Sequence, residues 1–464
     1  MPEGNAPRAI GLDHHGGPVH SFFLKKGAAP RPAIARAEGI YMWDSTGKRY
    51  IDASSGPVVS NLGHGNKRVL AAMVEQAEKA SFATITAFES EANRRLAELV
   101  TGLSGPGLER AFFVSGGSEA TEAALKLARQ YAVSKGESRR WKVIGREPGY
   151  HGATLGALAV TGDPQSEALF GPMMRVMPKV PAPFTYRLPP NHDAESYARH
   201  CAAALEETIR REGPETVLAF ILEPVGGLAT GALVAPDAYY GAVRAICDRY
   251  GVLLIYDEVM SGAGRTGRFL AAEHWPAARP DLVTLAKGIA AGYTPMGAVL
   301  APAAMVETVA ESGGFLHGHT YFTNPLSCAI GVAVVSEMIE RDLMGNAARM
   351  GAHLSRRLAA LQAQSAILGD VRGKGLLMAI EIVADKGSKA MLPLELLAAQ
   401  RISELAAARG LLLYTRRTAA GKYGEWLMVS PPLTVTAGEI DMIVELLGET
   451  LEAYEGELRR AGVI

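Results

Sequence analysis

Apolar and polar residues alternate in two different ways along this chain. From about residue 110 onward, short apolar runs are separated by long amphipathic segments. The runs are Ala111–Val114, Lys142–Arg146, Leu218–Leu222, Val252–Tyr256 and Leu282–Leu285. Short, continuous apolar runs of this kind suit strands buried on both faces, as in a parallel sheet covered by helices. One intervening segment shows its period plainly. After Ser118, residues Ala120, Ala123, Ala124, Leu127, Ala128 and Tyr131 recur at the spacing of one helix face. The alternation predicts an α/β fold with a mostly parallel sheet between helices.

Both chain ends read differently. Two short strands, Gly39–Trp43 and Arg49–Asp52, flank the turn residues Ser45-Thr46-Gly47, and a helix is predicted from about Asn66 to Lys79. Past about residue 330 helical segments dominate, broken by strand and loop at 369–381 and 410–432. This predicts a smaller α+β domain, which the N-terminal strands join because chain ends often meet in space. The expected division is 1–65 for a loose arm and those strands, 66–328 for the large domain and 329–464 for the small one. The stretch Pro178–His192, rich in proline and aromatics, reads as an ordered surface loop.

With 464 residues the chain exceeds one ordinary compact core, in keeping with two domains. Its 47 basic and 48 acidic side chains nearly cancel, which argues against a general nucleic-acid or anionic-membrane binder. Cys201, Cys247 and Cys328 form neither a CxxC pair nor a Cys/His cluster, so no metal site and no disulfide framework is expected. The N-terminal residues lack the apolar core of a signal peptide, and no apolar run approaches the roughly 20 residues that span a bilayer. A cytoplasmic location is the expectation.

Open α/β sheets bind ligands at the carboxyl ends of their strands, and four predicted strand ends carry unusual residues. Ser115-Gly116-Gly117-Ser118 precedes the alanine-rich helix, whose free N–H groups suit a phosphate; the plainer alternative is a Gly-rich turn with Ser118 as helix cap. Tyr150-His151-Gly152 offers a ring to lie on a flat ligand, or simply a loop aromatic. Asp257-Glu258 closes an apolar strand, where an acid needs a partner: a metal ion, a protonated ring nitrogen or a structural contact. Lys287 ends the last run, where burial lowers a lysine's pKa and makes it nucleophilic, unless its stem merely snorkels to water. One ligand has a phosphate, a flat ring, a ring nitrogen and an aldehyde together: pyridoxal 5'-phosphate (PLP).

Seven motifs carry a family resemblance. They are SGGSEATEAALKLAR at 115–129, YHGATLGA at 150–157, ILEPVGG at 221–227, LLIYDEVMSGAGRTGRF at 253–269, TLAKGIAAGYTPMGAV at 284–299, HGHTYFTNPLSCA at 317–329 and GDVRGKGLLMAIE at 369–381. In this order they resemble the class III (subgroup II) aminotransferases, fold-type I PLP enzymes, over residues from about 18 to about 450. The resemblance implies a transaminase similar to the omega-amino acid and amine–pyruvate members. An amine or amino acid would give its amino group to PLP, and a keto acid, pyruvate by this likeness, would then take it in a ping-pong cycle.

Position by position, the resemblance implies that Lys287 bonds the cofactor and moves the proton, while Asp257 pairs with its ring nitrogen. Val259 and Tyr150 sandwich the ring, Gly117 and Ser118 hold the phosphate, and His151 and Glu223 belong to the polar surroundings. Thr320 would reach the phosphate of a second subunit, implying a homodimer with shared sites. For the substrate it implies Val58, Leu228 and an arginine that pairs with the carboxylate, Arg416 or else Arg417. The chain departs from many relatives at three places: Thr323-Asn324-Pro325 replaces a Gly-His-Pro turn, Val58 a tryptophan, and Leu228 a small residue. A P-loop ATPase would explain Asp257-Glu258, but GxxxxGK[ST] does not occur in the chain. The alternative on the same cofactor is a decarboxylating aminotransferase, an aminomutase or a racemase.

Overall fold

The computed structural model describes residues 31–464, so the loose arm expected at the N-terminus lies outside the described residues. Three strands come first: β1 (Ile34–Glu38), β2 (Tyr41–Asp44) and β3 (Arg49–Asp52). β1 is an addition to the two strands the pattern predicts; its side chains are mostly exposed, so it has no apolar signature. The helix Lys67–Lys79 follows, with Asn66 as its cap: the Asn66 side chain accepts a hydrogen bond from the Val69 N–H.

The large sheet contains β4 (Arg110–Val114), β5 (Lys142–Glu147), β6 (Lys179–Pro181), β7 (Val217–Leu222), β8 (Leu253–Asp257), β9 (Leu282–Ala286) and β10 (Gly297–Ala301). Their spatial order is β4-β10-β9-β8-β7-β5-β6. Only β10 runs antiparallel to its neighbours, so the sheet is mixed but mostly parallel. Two of these strands differ from the sequence expectation. β6 lies inside the stretch read as a loop, and β10, with glycine and alanine at three of its positions, has too weak a pattern to stand out. β7 is buried at every position and β8 at all but its first. The helix Gly117–Ser134 packs Ala120, Ala123, Ala124, Leu127 and Ala128 inward, as the period requires.

The smaller part of the molecule holds β11 (Leu368–Lys374), β12 (Leu377–Ile382), the two-residue β13 (Leu411–Leu412) and β14 (Glu425–Val429). β11, β12 and β14 form one antiparallel sheet, whereas β13 pairs in parallel with β3. The two chain ends therefore share a sheet. Buried Arg265 fastens them to the large part: its guanidinium donates to Ser55 Oγ at 3.2 Å, to Asn61 Oδ1 at 2.5 Å and to the Pro431 carbonyl. Burial lowers its pKa to about 9. Among the described residues no helix is long and apolar enough to cross a membrane.

Candidate active site

The carboxyl ends of β4, β5, β7, β8 and β9 open onto one cavity of about 380 Å³. Its wall includes Gly116, Gly117 and Ser118 after β4, Tyr150 and His151 after β5, Glu223 after β7, Asp257 and Val259 at β8, and Lys287 after β9. Strand ends that look unrelated along the chain thus meet at one place, as the parallel topology dictates.

Lys287 sits in the left-handed region, with φ 47°, directly after β9. Its ammonium donates to the Pro57 carbonyl at 2.7 Å. The side chain is half-buried: protein surrounds the ammonium, while the cavity still admits solvent to it. Desolvation brings its pKa down to about 8, against the opposing pull of Asp257 and Glu223. The carbonyl it meets belongs to a strained turn, in which Ser55, Gly56 and Val58 have φ of 53°, 61° and 60°. A β-branched residue at such a φ is a true outlier, and strain of this kind persists only where surrounding structure imposes it.

Asp257 is buried at the end of β8. Its Oδ2 lies 2.7 Å from His151 Nδ1 and its Oδ1 accepts from the Val259 N–H at 3.0 Å. His151 is itself fixed, since its N–H donates to Thr161 Oγ1 and its carbonyl accepts from Thr121 Oγ1. Glu223 spans two walls: Oε1 accepts from the Gly227 N–H at 2.9 Å and Oε2 from the Tyr150 N–H at 3.3 Å. Desolvation raises the Glu223 pKa, with the charges of His151 and Arg146 working against it.

At the phosphate-like corner the helix Gly117–Ser134 starts beside the cavity with no side chain capping it. Ser118 is therefore inside the helix, a correction to its reading as the cap; its Oγ accepts from the Ala153 N–H at 3.0 Å. Gly152 has φ 139°, and a Cβ there would stand 2.8 Å from Ser118 Oγ, so only glycine lets the two loops close.

The outer wall holds Leu228, Tyr414, Arg416, Thr418 and Asp163. The Arg416 guanidinium lies over the Tyr150 ring at 5.4 Å, while Arg417 is outside the lining and leans on Gly421. Leu228 is held from the small sheet, where Trp426 Nε1 donates to its carbonyl at 2.6 Å. One sequence expectation falls elsewhere. Val58 is 1% exposed and packed in the core, and its neighbour Val59 lines the cavity in its place. Thr320, expected to serve a second subunit, is exposed and does not line the cavity of its own chain. The sequence reading missed Pro57, Val59, Asp163, Tyr414 and Thr418, which sit on turns and loops without periodicity.

A family model for aminotransferase class-III matches residues 25–451. The chain belongs to the class III aminotransferases. It is 37% identical over 432 residues to the uncharacterized aminotransferase YodT of Bacillus subtilis (strain 168), covering 92% of this chain and 97% of that protein. It is 35% identical over 427 residues to a taurine–pyruvate aminotransferase of Rhodobacter capsulatus, covering 90% and 91%. The crystal structure of an amine transaminase from an uncultivated Pseudomonas species, in its PLP-bound form, superposes with a TM-score of 0.88. That match has 35% identity and covers 94% of this chain and 99% of the other. This class III aminotransferase uses pyridoxal 5'-phosphate. The cavity fits the group: it offers a desolvated amine, a buried carboxylate, an uncapped helix N-terminus and, in Tyr150 and Val259, surfaces for a ring.

Proposed function

We propose that this aminotransferase works as a homodimer and moves the amino group of an amine or omega-amino acid to a keto acid, with pyruvate the preferred acceptor. The observation that carries this reading is the desolvated Lys287 amine in the same cavity as the buried Asp257–His151 pair. When bound, PLP supplies an aldehyde for the incoming amine and a protonated ring that draws electrons from the reacting carbon.

The residues then divide the work. Lys287 Nζ would hold the cofactor and would serve as the acid and base that moves the proton at the carbon bearing the amine. Asp257 keeps the ring nitrogen protonated, and His151 Nδ1 orients that carboxylate. Gly117 and Ser118 bind the phosphate at the helix N-terminus. Tyr150 and Val259 enclose the ring, and Glu223 fixes the Tyr150 and Gly227 segments around it. Arg416 takes the keto acid's carboxylate and swings toward solvent when the donor has none; its half-exposed side chain over Tyr150 supports this.

Pyruvate is favoured by the likeness to the taurine–pyruvate enzyme. The dimer is supported by the exposed apolar side chains Leu316 and Tyr321 that flank Thr320, with Phe82 packed edge-on against Tyr321. The test is a screen of amines, omega-amino acids and α-amino acids as donors, with pyruvate and 2-oxoglutarate as acceptors, alongside sedimentation. Turnover with pyruvate by a dimer is expected. A fully active monomer, or amino transfer confined to α-amino acids and 2-oxoglutarate, would overturn the reading.

A further inference from the structure

The stretch Pro178–His192, rich in proline and aromatics, contributes no residue to the cofactor cavity. It pairs with the large sheet as β6 and then crosses to the small part, where Phe184 stacks on Tyr423 at 6.1 Å and Arg187 pairs with Glu381 of β12. Between this stretch, the end of β5 and Lys422–Tyr423 lies a second cavity of about 420 Å³, which shares no lining residue with the first. Two ammonium groups, Lys179 and Lys422, line it against one carboxylate, Glu147. Lys179 donates to the Ala159 and Met177 carbonyls at 2.8 and 2.7 Å, which leaves one of its three protons for another acceptor. Burial pulls its pKa down to about 8, against the charges of Glu167 and Glu147. Lys422 stays 3.7 Å from Glu147, whose Oε1 already accepts from the Tyr423 hydroxyl at 2.7 Å. Arg187 gives Nε to the Lys389 carbonyl and Nη1 to Glu381 and the Tyr423 carbonyl, but its Nη2 is buried with no partner.

Unused N–H donors on two lysines and an arginine, with a surplus of positive charge, suit the oxygens of a phosphate. The rest of the wall suits a ring. Phe184, Tyr197 and Tyr423 bring aromatic surface, and the volume is of the size that holds a small organic ligand. We propose that this cavity is a second ligand site, for a phosphate monoester carried on a flat ring, and that its occupant braces the loop bearing Arg416. The bracing follows from where the walls come from. Lys179 and Glu147 belong to paired strands of the large sheet, whereas Lys422 and Tyr423 continue directly from the Thr418–Gly421 turn after Arg416. A phosphate held by Lys179 and Lys422 together ties that turn to the sheet.

The test titrates phenyl phosphate and inorganic phosphate into PLP-saturated holoenzyme by calorimetry, so that the cofactor fills the phosphate corner of the first cavity. Phenyl phosphate should bind at one site per chain, about ten-fold more tightly than inorganic phosphate because its ring is buried. Lys179→Met and Lys422→Met should each weaken it by about ten-fold, the scale of a hydrogen bond to a charged group. Lys67→Met removes an exposed charge elsewhere and should leave the affinity within about two-fold. Lys422 is 63% exposed, so its variant keeps the test decisive if Lys179→Met does not fold. Bound phenyl phosphate should also slow hydrogen exchange at residues 416–423. Competition by AMP and by pyridoxine 5'-phosphate then separates two sources of the ring, and the stronger competitor names it. No binding, binding that Lys422→Met leaves unchanged, a loss as large for Lys67→Met, or equal affinity for the two phosphates overturns the site. Binding with unchanged exchange at 416–423 overturns the bracing.

Discussion

At the inner end of the cavity Lys287, Asp257, His151 and Glu223 hang from the ends of fully paired strands or the turns that follow them, and each has a fixed partner. At the outer end Arg416 and Thr418 stand on a loop whose next residues, Ala419, Ala420 and Gly421, all have positive φ. The inner groups are enclosed, and burial lowers the Lys287 pKa and raises that of Glu223, whereas Arg416 is half exposed. Rigid strand ends suit chemistry that never changes between substrates, and a loop suits selection among them. The two ends should therefore respond differently to mutation.

The inner end should give the largest effects. Lys287→Ala should lower amino transfer by at least about a thousand-fold, the scale of losing a group that acts in every step. Borohydride treatment of the wild-type protein, followed by peptide mapping, should find the pyridoxyl group on Lys287; finding it on another lysine would remove the inner end from the catalytic account. Asp257→Asn should keep the fold and much of the PLP, yet lose about a hundred-fold in turnover, because an amide cannot hold the ring nitrogen protonated. Near-normal turnover in a folded, PLP-loaded variant would refute that role.

The perturbed amine gives a pH signature for the same end. Lys287 in the cofactor-free protein has its pKa lowered to about 8, chiefly by desolvation. Its neutral, nucleophilic form thus grows as pH rises and saturates above about 8, where an ordinary lysine would still be gaining. The rate of PLP capture by the apoprotein should rise with pH and level off just above that value. The sign for stability agrees: a lowered folded pKa costs the apoprotein stability at neutral pH, and the cost fades as pH climbs from about 8 toward 10.5. A capture rate that keeps rising past pH 10 would show a solvated lysine.

This contrast also explains what could be read in the sequence. The inner end was legible because parallel strands have short apolar signatures and their ligand groups fall at strand ends, so Asp257 and Lys287 could be placed from pattern alone. The same pattern offered the phosphate corner at Ser115-Gly116-Gly117-Ser118, and the likeness to known motifs then supplied Val259 and Glu223. Strand β10 escaped because Gly297 and its alanines carry little hydrophobic signal. Pro57 and Val59, beside Lys287, depend on a strained turn, and Asp163 at the outer end on a short helix cap, neither of which has a period. The expectation for Val58 missed by one residue, since its positive φ turns the side chain into the core and brings Val59 to the cavity.

The outer end should respond selectively. Arg416→Ala should cut the keto-acid half-reaction by about ten-fold, as expected for a hydrogen-bonded charge pair, and leave the half-reaction with an uncharged amine nearly unchanged. Arg417→Ala should change neither, because Arg417 lies outside the cavity. Rapid-mixing spectra of the two half-reactions separate these outcomes. Equal losses in both halves for Arg416→Ala would mean that the outer end serves the chemistry itself, as the inner end does, and does not select substrates.

The smallest expected effect uses backbone strain, which both ends carry. Ala420 has φ 54° and is exposed; Val58 has φ 60° and is 1% exposed. A non-glycine residue costs about 1–2 kcal/mol in the left-handed region, and glycine returns about 0.5–1 kcal/mol of that through its freer unfolded chain. Ala420→Gly loses no packing, so it should stabilise the protein by about 0.5–1 kcal/mol, raising Tm by about 1–2 °C. Val58→Gly gains the same relief but gives up a buried side chain that contributes about 1.5–3 kcal/mol, so its net sign should be destabilising. Scanning calorimetry of the two variants with saturating PLP reads both signs. If Ala420→Gly lowers Tm, the loop after Arg416 is held by contacts that the strain account lacks, and the outer end is less free to exchange substrates than its exposure implies.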